Sequence, residues 1–385
     1  MREKNMIKEL LVKKLRGESI FRQGSALTLA VVLGISAFAA GKTYAALGVE
    51  VDMECSIQIN VPETGFSELH ELEIPVNLYK VADIAVSGKY TVTADFEDKG
   101  LDALENVSDT TSADVWKQLA EAAKKAVDDG LEAGTPIEAV GTTDVEEAPT
   151  AIIVNGTVTI GTTKEDKLPV GLYLVDAQSV ESAIYRYSFQ PYLISLPNNN
   201  YYKAAEGTDG DDTWIYNLVN NAQGNNAVGL KPDKEDLYGS LVIEKTVDVF
   251  NGTYDSATFV FQVEAVKADP DAAEGSEPAK VFSDVFAMNF TGPGAQTLTV
   301  GPIPAGAQVT VKEVYSGSGY SVKEETEDTQ DTVIIADEVL AKDPESTVAT
   351  VSFTNTHDGR HNGGNGIVNT FSYDDGEWTY EAQRR

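Results

Sequence analysis

The sequence predicts an all-β chain of two sandwich domains, the first carrying a helical insertion. Three observations carry that expectation. Short runs in which apolar and polar residues alternate recur along the chain, separated by Gly, Pro, Asn and Asp, as half-buried strands require. A single stretch, Ser112 to Gly130, has helical spacing instead. A polar Asn/Gly/Asp-rich break between residues 197 and 236 divides the strand-rich chain in two.

Taken in order, residues 1–45 open with a basic stretch (Arg2, Lys4, Lys8, Lys13, Lys14, Arg16, Arg22), continue through an apolar run from Ala26 to Ala40 and end in Thr43-Tyr44-Ala45. This is the pattern of a secretory signal peptide cut after Ala45. The apolar run is shorter than the ~20 residues that span a bilayer. No later segment is apolar enough for a transmembrane helix, so the mature chain is expected without a membrane span, secreted and held at the cell surface or cell wall.

The first domain, residues 46–219, offers alternating segments at Ser56–Val61, Glu73–Val81, Tyr90–Phe96, Ala151–Ile160, Gly171–Asp176 and Tyr185–Leu196, closing with Trp214–Val219. Its helix has Ser112 as N-cap, Gly130 as C-cap, and Trp116, Leu119, Ala120, Ala123 and Val127 on one face. Residues 220–236 read as a linker. The second domain, residues 237–373, has strands at Ser240–Val249, Ala257–Val266, Ala295–Val300, Gln308–Tyr315, Ser321–Glu324, Thr332–Ile335 and Thr347–Thr356, with a further strand at Ile367–Tyr373. Residues 374–385 read as a tail.

The formal charge is −32, and removing residues 1–45 takes away eight basic and three acidic side chains, leaving −37. Such a surface repels nucleic acid and anionic membranes. Export permits disulfides, but Cys55 is the only cysteine. Durability must come from elsewhere.

A source lies in the second domain. Successive side chains of a strand alternate between its faces, so the inward set of Leu241 to Val247 is Leu241, Ile243, Lys245, Val247. The same count aligns Glu313 with Val309 and Val311, and Asn355 with Val351 and Phe353. An amine, a carboxyl and a carboxamide in one core are expensive unless they meet. Desolvation pushes such a pair towards neutral amine and neutral acid. A neutral Lys245 is then a nucleophile towards the Asn355 carboxamide, with Glu313 polarising its carbonyl and shuttling protons. The product is an amide between Lys245 and Asn355, made once, with ammonia released. Asn369, in the alternating run Ile367, Asn369, Phe371, Tyr373, is the alternative acceptor.

These residues bring a family resemblance with them. Gly239-Ser-Leu-Val-Ile-Glu-Lys-Thr246, Val309-Thr-Val-Lys-Glu-Val-Tyr-Ser-Gly-Ser-Gly-Tyr320 and Val351-Ser-Phe-Thr-Asn-Thr356 resemble the collagen-adhesin B-type (Cna B-like) domains of Gram-positive surface proteins, which implies an immunoglobulin-like sandwich. The family's Lys, Glu and Asn roles fall on Lys245, Glu313 and Asn355. Where the family has a proline in the middle motif, this chain has Gly317. Val76-Asn-Leu-Tyr-Lys-Val-Ala82, Leu168-Pro-Val-Gly-Leu-Tyr-Leu-Val175 and Phe189-Gln-Pro-Tyr-Leu-Ile-Ser-Leu-Pro197 resemble the N-terminal domain of sortase-assembled pilins. That resemblance implies partnership with other pilin subunits and a sortase. It also implies an acceptor lysine at the end of the first domain, where Val228-Gly-Leu-Lys231-Pro232 makes Lys231 the candidate and Lys234 the second choice. The chain has no LPXTG-like sorting signal, so the expected roles are an acceptor subunit, one held noncovalently, or a truncated product.

The expected function is therefore a structural pilin-like surface subunit, with an adhesin for a host matrix protein or glycan as the alternative. Turnover chemistry has no constellation here: His70, His357 and His361 are near no serine or cysteine motif, no metal-ligand spacing appears, and no cofactor is expected. Asp209-Gly-Asp-Asp212 lacks the EF-hand pattern. Cys55 lacks a glutamine partner motif for a thioester and reads as a small buried thiol.

Overall fold

Two cores, one per strand-rich half, organise the computed structural model, which describes residues 48–108, 111–140, 149–163, 167–199, 214–221, 224–323, 327–357, 359, 367–374 and 377–384. The signal peptide expected at 1–45, the Asp209–Asp212 loop and His361 lie outside the described residues.

In the first domain β1 (Glu54–Asn60) buries Cys55, Ile57 and Ile59. It pairs antiparallel with Thr157–Ile160 and Leu168–Pro169, and parallel with Asn217–Leu218 and Val228–Gly229. A second sheet holds β2 (Ile74–Ile84) against β3 (Gly171–Ala177). β3 is buried along its whole length because helix α1 (Ala113–Glu132) packs on the same sheet. Ser112 caps α1 as expected, its Oγ accepting from the Val115 amide at 3.4 Å. Gly130 is not the C-cap, since the helix runs two residues further to Glu132. The missing side chain admits the Thr135 carbonyl, 2.9 Å from where a Cβ would stand.

Four expected strands of the first domain are shorter or divided, among them Trp214–Val219, which splits into Trp214–Ile215 and Asn217–Leu218 with different partners. Tyr90–Val92 ends early, and a 3-10 turn at Ala94–Phe96 buries Phe96. Ala151–Ile153 and Thr157–Ile160 are separated by Asn155 and Gly156, both at positive φ, as a tight hairpin turn demands. The 185–196 segment splits into β4 (Tyr185–Phe189) and β5 (Tyr192–Leu196), because Pro191 has no N–H for a ladder. β5 stays on β3, while β4 pairs with β6 (Pro232–Asp236), from Pro232↔Phe189 to Asp236↔Tyr185. The segment expected as a linker is therefore partly a strand. Leu237, which follows, is buried with Ala305 and Ala336; its amide donates to the Ile184 carbonyl, and its carbonyl accepts from Ala305.

The second domain is a sandwich of two four-stranded sheets. Its strands are β7 (Tyr238–Val247), β8 (Ala257–Lys267), β9 (Ala279–Phe290), β10 (Gly294–Pro304), β11 (Gln308–Tyr315), β12 (Tyr320–Val322), β13 (Thr329–Val333) and β14 (Ala349–His357). One sheet has the order β10-β7-β14-β12 and the other β9-β8-β11-β13. Leu241, Ile243, Val351 and Phe353 of the first face Phe259, Phe261, Val309 and Val311 of the second, each fully buried side chain contributing about 1.5–3 kcal/mol. The first and last sandwich strands, β7 and β14, lie side by side and parallel, pairing Lys245 with Phe353 and Val247 with Asn355. Neither β9 nor the short helix α2 (Asp337–Lys342) was expected. The expected tail is also largely a strand: β16 (Glu377–Arg384) pairs with β15 (Ile367–Asp374), and the Tyr373 and Trp378 rings stand 5.1 Å apart.

Candidate functional site

Alternation along β7 aims Lys245 between the two sheets. Its ammonium nitrogen lies 4.6 Å from the ring centre of Phe259 and 5.8 Å from that of Phe261, both on β8 of the opposite sheet. Lys245 and Asn355 are 0 % exposed and Glu313 5 %, so the group has no water to fall back on.

The three side chains meet. Lys245 Nζ donates to Glu313 Oε2 at 2.9 Å and Oε1 at 3.1 Å, and to Asn355 Oδ1 at 2.5 Å. Asn355 Nδ2 donates to Glu313 Oε1 at 2.7 Å and to the Ser316 main-chain carbonyl at 3.3 Å. Burial pushes the Lys245 amine down to about 8 against the opposing pull of Glu313, and raises the Glu313 carboxyl against the pull of Lys245. For both groups desolvation outweighs mutual attraction, which brings the neutral pair within thermal reach.

One expectation needs correcting. Glu313 was expected to polarise the Asn355 carbonyl, but its Oε1 faces the carboxamide nitrogen and the carbonyl oxygen faces Lys245. The carboxylate thus spans the two nitrogens, Oε1 accepting from both and Oε2 from the lysine alone.

Sequence reasoning missed the aromatic shelf and the loop after β11. Phe259 carries no signal beyond its inward phase, and a main-chain acceptor such as Ser316 carries none. Tyr320 closes one side: its ring centre stands 5.4 Å from that of Phe259 and 5.7 Å from that of His357, and its hydroxyl accepts from the Asn251 amide at 2.9 Å.

The other sequence candidates are placed differently. Asn369 is on β15, whose partner among the described residues is β16 and not a sandwich strand; its side chain lies outside the described residues. Lys231 precedes β6, is half-buried with Nζ 5.4 Å from the Tyr192 ring centre, and has no carboxylate partner among the described residues. Burial, then the nearby Lys117, lowers its pKa. Lys234 instead bonds Asp271 at 3.0 Å and Asp269 at 3.3 Å. Burial pulls Lys234 down, but these hydrogen bonds outweigh it and leave the amine raised. Asp271 also accepts from the Ser67 amide at 2.9 Å, so Lys234 belongs to a contact between the two domains. Cys55 is sealed in the first core, where burial pushes its thiol up to about 12.

A family described as "Domain of unknown function (DUF5979)" matches residues 241–358, the span that contains all three side chains. Among solved structures the chain is similar to a streptococcal ancillary pilin, at 12 % identity over 85 % of this chain and 80 % of that one, with a TM-score of 0.22. It is similar to the full-length major pilin SpaD of Corynebacterium diphtheriae, at 10 % identity over 81 % of this chain and 100 % of that one, TM-score 0.22. It is also similar to a minor pilin of Streptococcus agalactiae, at 13 % identity over 80 % and 97 %, TM-score 0.20. No curated protein matches the chain.

Proposed function

We propose that this chain is an extracellular, pilin-like structural subunit whose second domain staples itself with an amide between Lys245 and Asn355. The observation that carries the reading is the closed contact of amine, carboxyl and carboxamide in one dry core. Proton transfer from Lys245 to Glu313 Oε1, 3.1 Å away, leaves a neutral amine, which attacks Asn355 Cγ. Glu313 Oε1 then gives that proton to Nδ2, the Cγ–Nδ2 bond breaks and ammonia leaves, and the second Nζ proton passes to the carboxylate, which began charged and ends as the neutral acid. Nζ–Cγ is the bond gained, and no external reactant is consumed.

The placement suits load. β7 and β14 are where the chain enters and leaves the sandwich, and they are neighbours. Parallel strands pulled from opposite ends slide past each other along their ladder; an amide between them makes that path covalent.

Intact-mass measurement of the purified full chain tests the reading. The expected mass is lower than the sequence mass by one ammonia, about 17 Da, a deficit abolished in Lys245→Ala and Glu313→Ala. A wild-type chain at full mass with no Lys245–Asn355 peptide sinks the amide, and a cross-linked peptide containing Asn369 reassigns the acceptor.

Attachment to other subunits follows from the pilin-like motifs of the first domain, with Lys231 as the amine that receives the acyl group from a sortase. Among the described residues Lys231 has no carboxylate partner, whereas Lys234 is committed to Asp269 and Asp271. With a pilus sortase and an LPXTG peptide, the conjugate is expected on Lys231, lost in Lys231→Arg and kept in Lys234→Arg. The reverse pattern overturns the assignment.

A further inference from the structure

Lys245 and Glu313 exchange donor and acceptor roles whenever a proton passes between them. As an ion pair, the ammonium donates and the carboxylate accepts, which directs Asn355 Oδ1 to the lysine and Nδ2 to the glutamate. As a neutral pair, the acid can donate to Oδ1 and the amine can accept from Nδ2, so the carboxamide can turn over. The reacting state is the neutral one, and there the two partners no longer fix the orientation.

A third contact does. Nδ2 donates to the Ser316 carbonyl at 3.3 Å, and a carbonyl oxygen accepts in every protonation state. Turning the carboxamide would set Oδ1 against it. The loop is held at its β12 end: His357 Nδ1 donates to the Gly319 carbonyl at 2.7 Å, and Tyr320 pairs with His357 in the β12–β14 ladder. Gly317 sits at φ +83°, which turns the peptide plane carrying the Ser316 carbonyl, and proline, confined near −65°, cannot adopt it.

We propose that the Ser316 carbonyl is the positioning group of the cross-linking reaction, holding the Asn355 nitrogen against Glu313 and the oxygen against Lys245, with Gly317 setting its direction. The inference rests on the amide reading above and assigns the proton route within it. The proton taken from Nζ at Oε1 is returned from that same oxygen to the leaving nitrogen, not to the carbonyl oxygen.

The test uses two substitutions at one position. Gly317→Asn and Gly317→Pro both add a Cβ, which meets the Tyr320 ring at about 3.0 Å. Asparagine tolerates positive φ and keeps the carbonyl in place; proline does not. Full-length chains made in a cell-free system are sampled by intact mass against time, with folding followed by circular dichroism. Gly317→Pro is expected to form the link about tenfold more slowly, as loss of one hydrogen bond implies, and Gly317→Asn at close to the wild-type rate. The pH profile of the rate should keep its bell shape and position in Gly317→Pro, because the Lys245–Glu313 pair that sets it is unchanged. Equal rates in wild type and Gly317→Pro overturn the inference, as do equally slow rates in both variants, which would assign the effect to the Cβ against Tyr320. A displaced pH profile also overturns it, and a Gly317→Pro chain that does not fold is replaced by Gly317→Val under the same criteria. Failure of the wild-type chain to lose ammonia overturns the amide itself and is read separately.

Discussion

Asp176 in the first domain and Glu313 in the second are both carboxylates buried in a sheet core and facing a lysine, but their lysines arrive by different routes. Lys245 comes from the adjacent sheet of the same sandwich, fully enclosed, and contacts both carboxylate oxygens. Lys124 comes from α1, beside its buried face, keeps 29 % of its side chain exposed, stands 3.7 Å from Asp176 and bonds Asp128 at 2.5 Å. An asparagine is near in each case, since Asn77 pairs with Asp176 across β2 and β3. Asn77 Oδ1, however, accepts from the Thr150 amide. A lysine rooted in a strand has no path back to water and must share its proton with the core; one rooted in a helix at the surface still reaches water. Composition is nearly the same at the two sites, and enclosure separates them.

The largest expected difference between the domains is in stability. Lys245 and Asn355 are 110 residues apart, and closing a loop of about 100 residues contributes about 4.7 kcal/mol by the chain-entropy account developed for disulfides. Removing the link without stranding a buried charge requires Lys245→Met with Glu313→Gln. For a domain of this size the expected fall in Tm is about 20 °C, confined to the second-domain transition in calorimetry. A double variant melting within a few degrees of a wild type that has lost ammonia would show that the link does not support the fold. Reducing agent should leave the wild-type transition where it is.

What the sequence made legible follows from the rigidity of the strand period. Lys245, Glu313 and Asn355 could be read as inward because their neighbours two and four residues away are apolar, and the structure keeps all three phases. β9 was not legible because Val281, Phe282, Val285 and Phe286 are all half-buried, so no face alternates cleanly. β6 was hidden by its composition, Pro-Asp-Lys-Glu-Asp, which belongs to a strand held mainly by its backbone ladder to β4 and by ion pairs such as Lys267 with Asp236. Ser316 was beyond reach for another reason. Its contribution is a main-chain oxygen, directed by a glycine φ that no side-chain pattern records.

The smallest effect tests the other half of the comparison. Burial, against the weaker pull of Lys124, raises the Asp176 carboxyl above its ordinary value. Folding therefore favours the protonated form. The penalty is absent below the unfolded-state value of about 3.9, grows as pH rises towards the folded value, and is complete above it. Asp176→Asn removes a charge that the fold disfavours, and its oxygen can still accept from Gln178, as Asp176 Oδ2 does at 3.1 Å. The variant should be more stable than wild type at neutral pH by up to about 1 kcal/mol, a gain tempered by the lost ion pair with the part-exposed Lys124. That gain should vanish in denaturant titrations near pH 3, where Asp176 is protonated in both states. The mass deficit should remain one ammonia in wild type and variant alike. A second ammonia lost from wild type and retained in Asp176→Asn would mean that Lys124 and Asn77 react after all, and that access from a helix is no barrier to the chemistry.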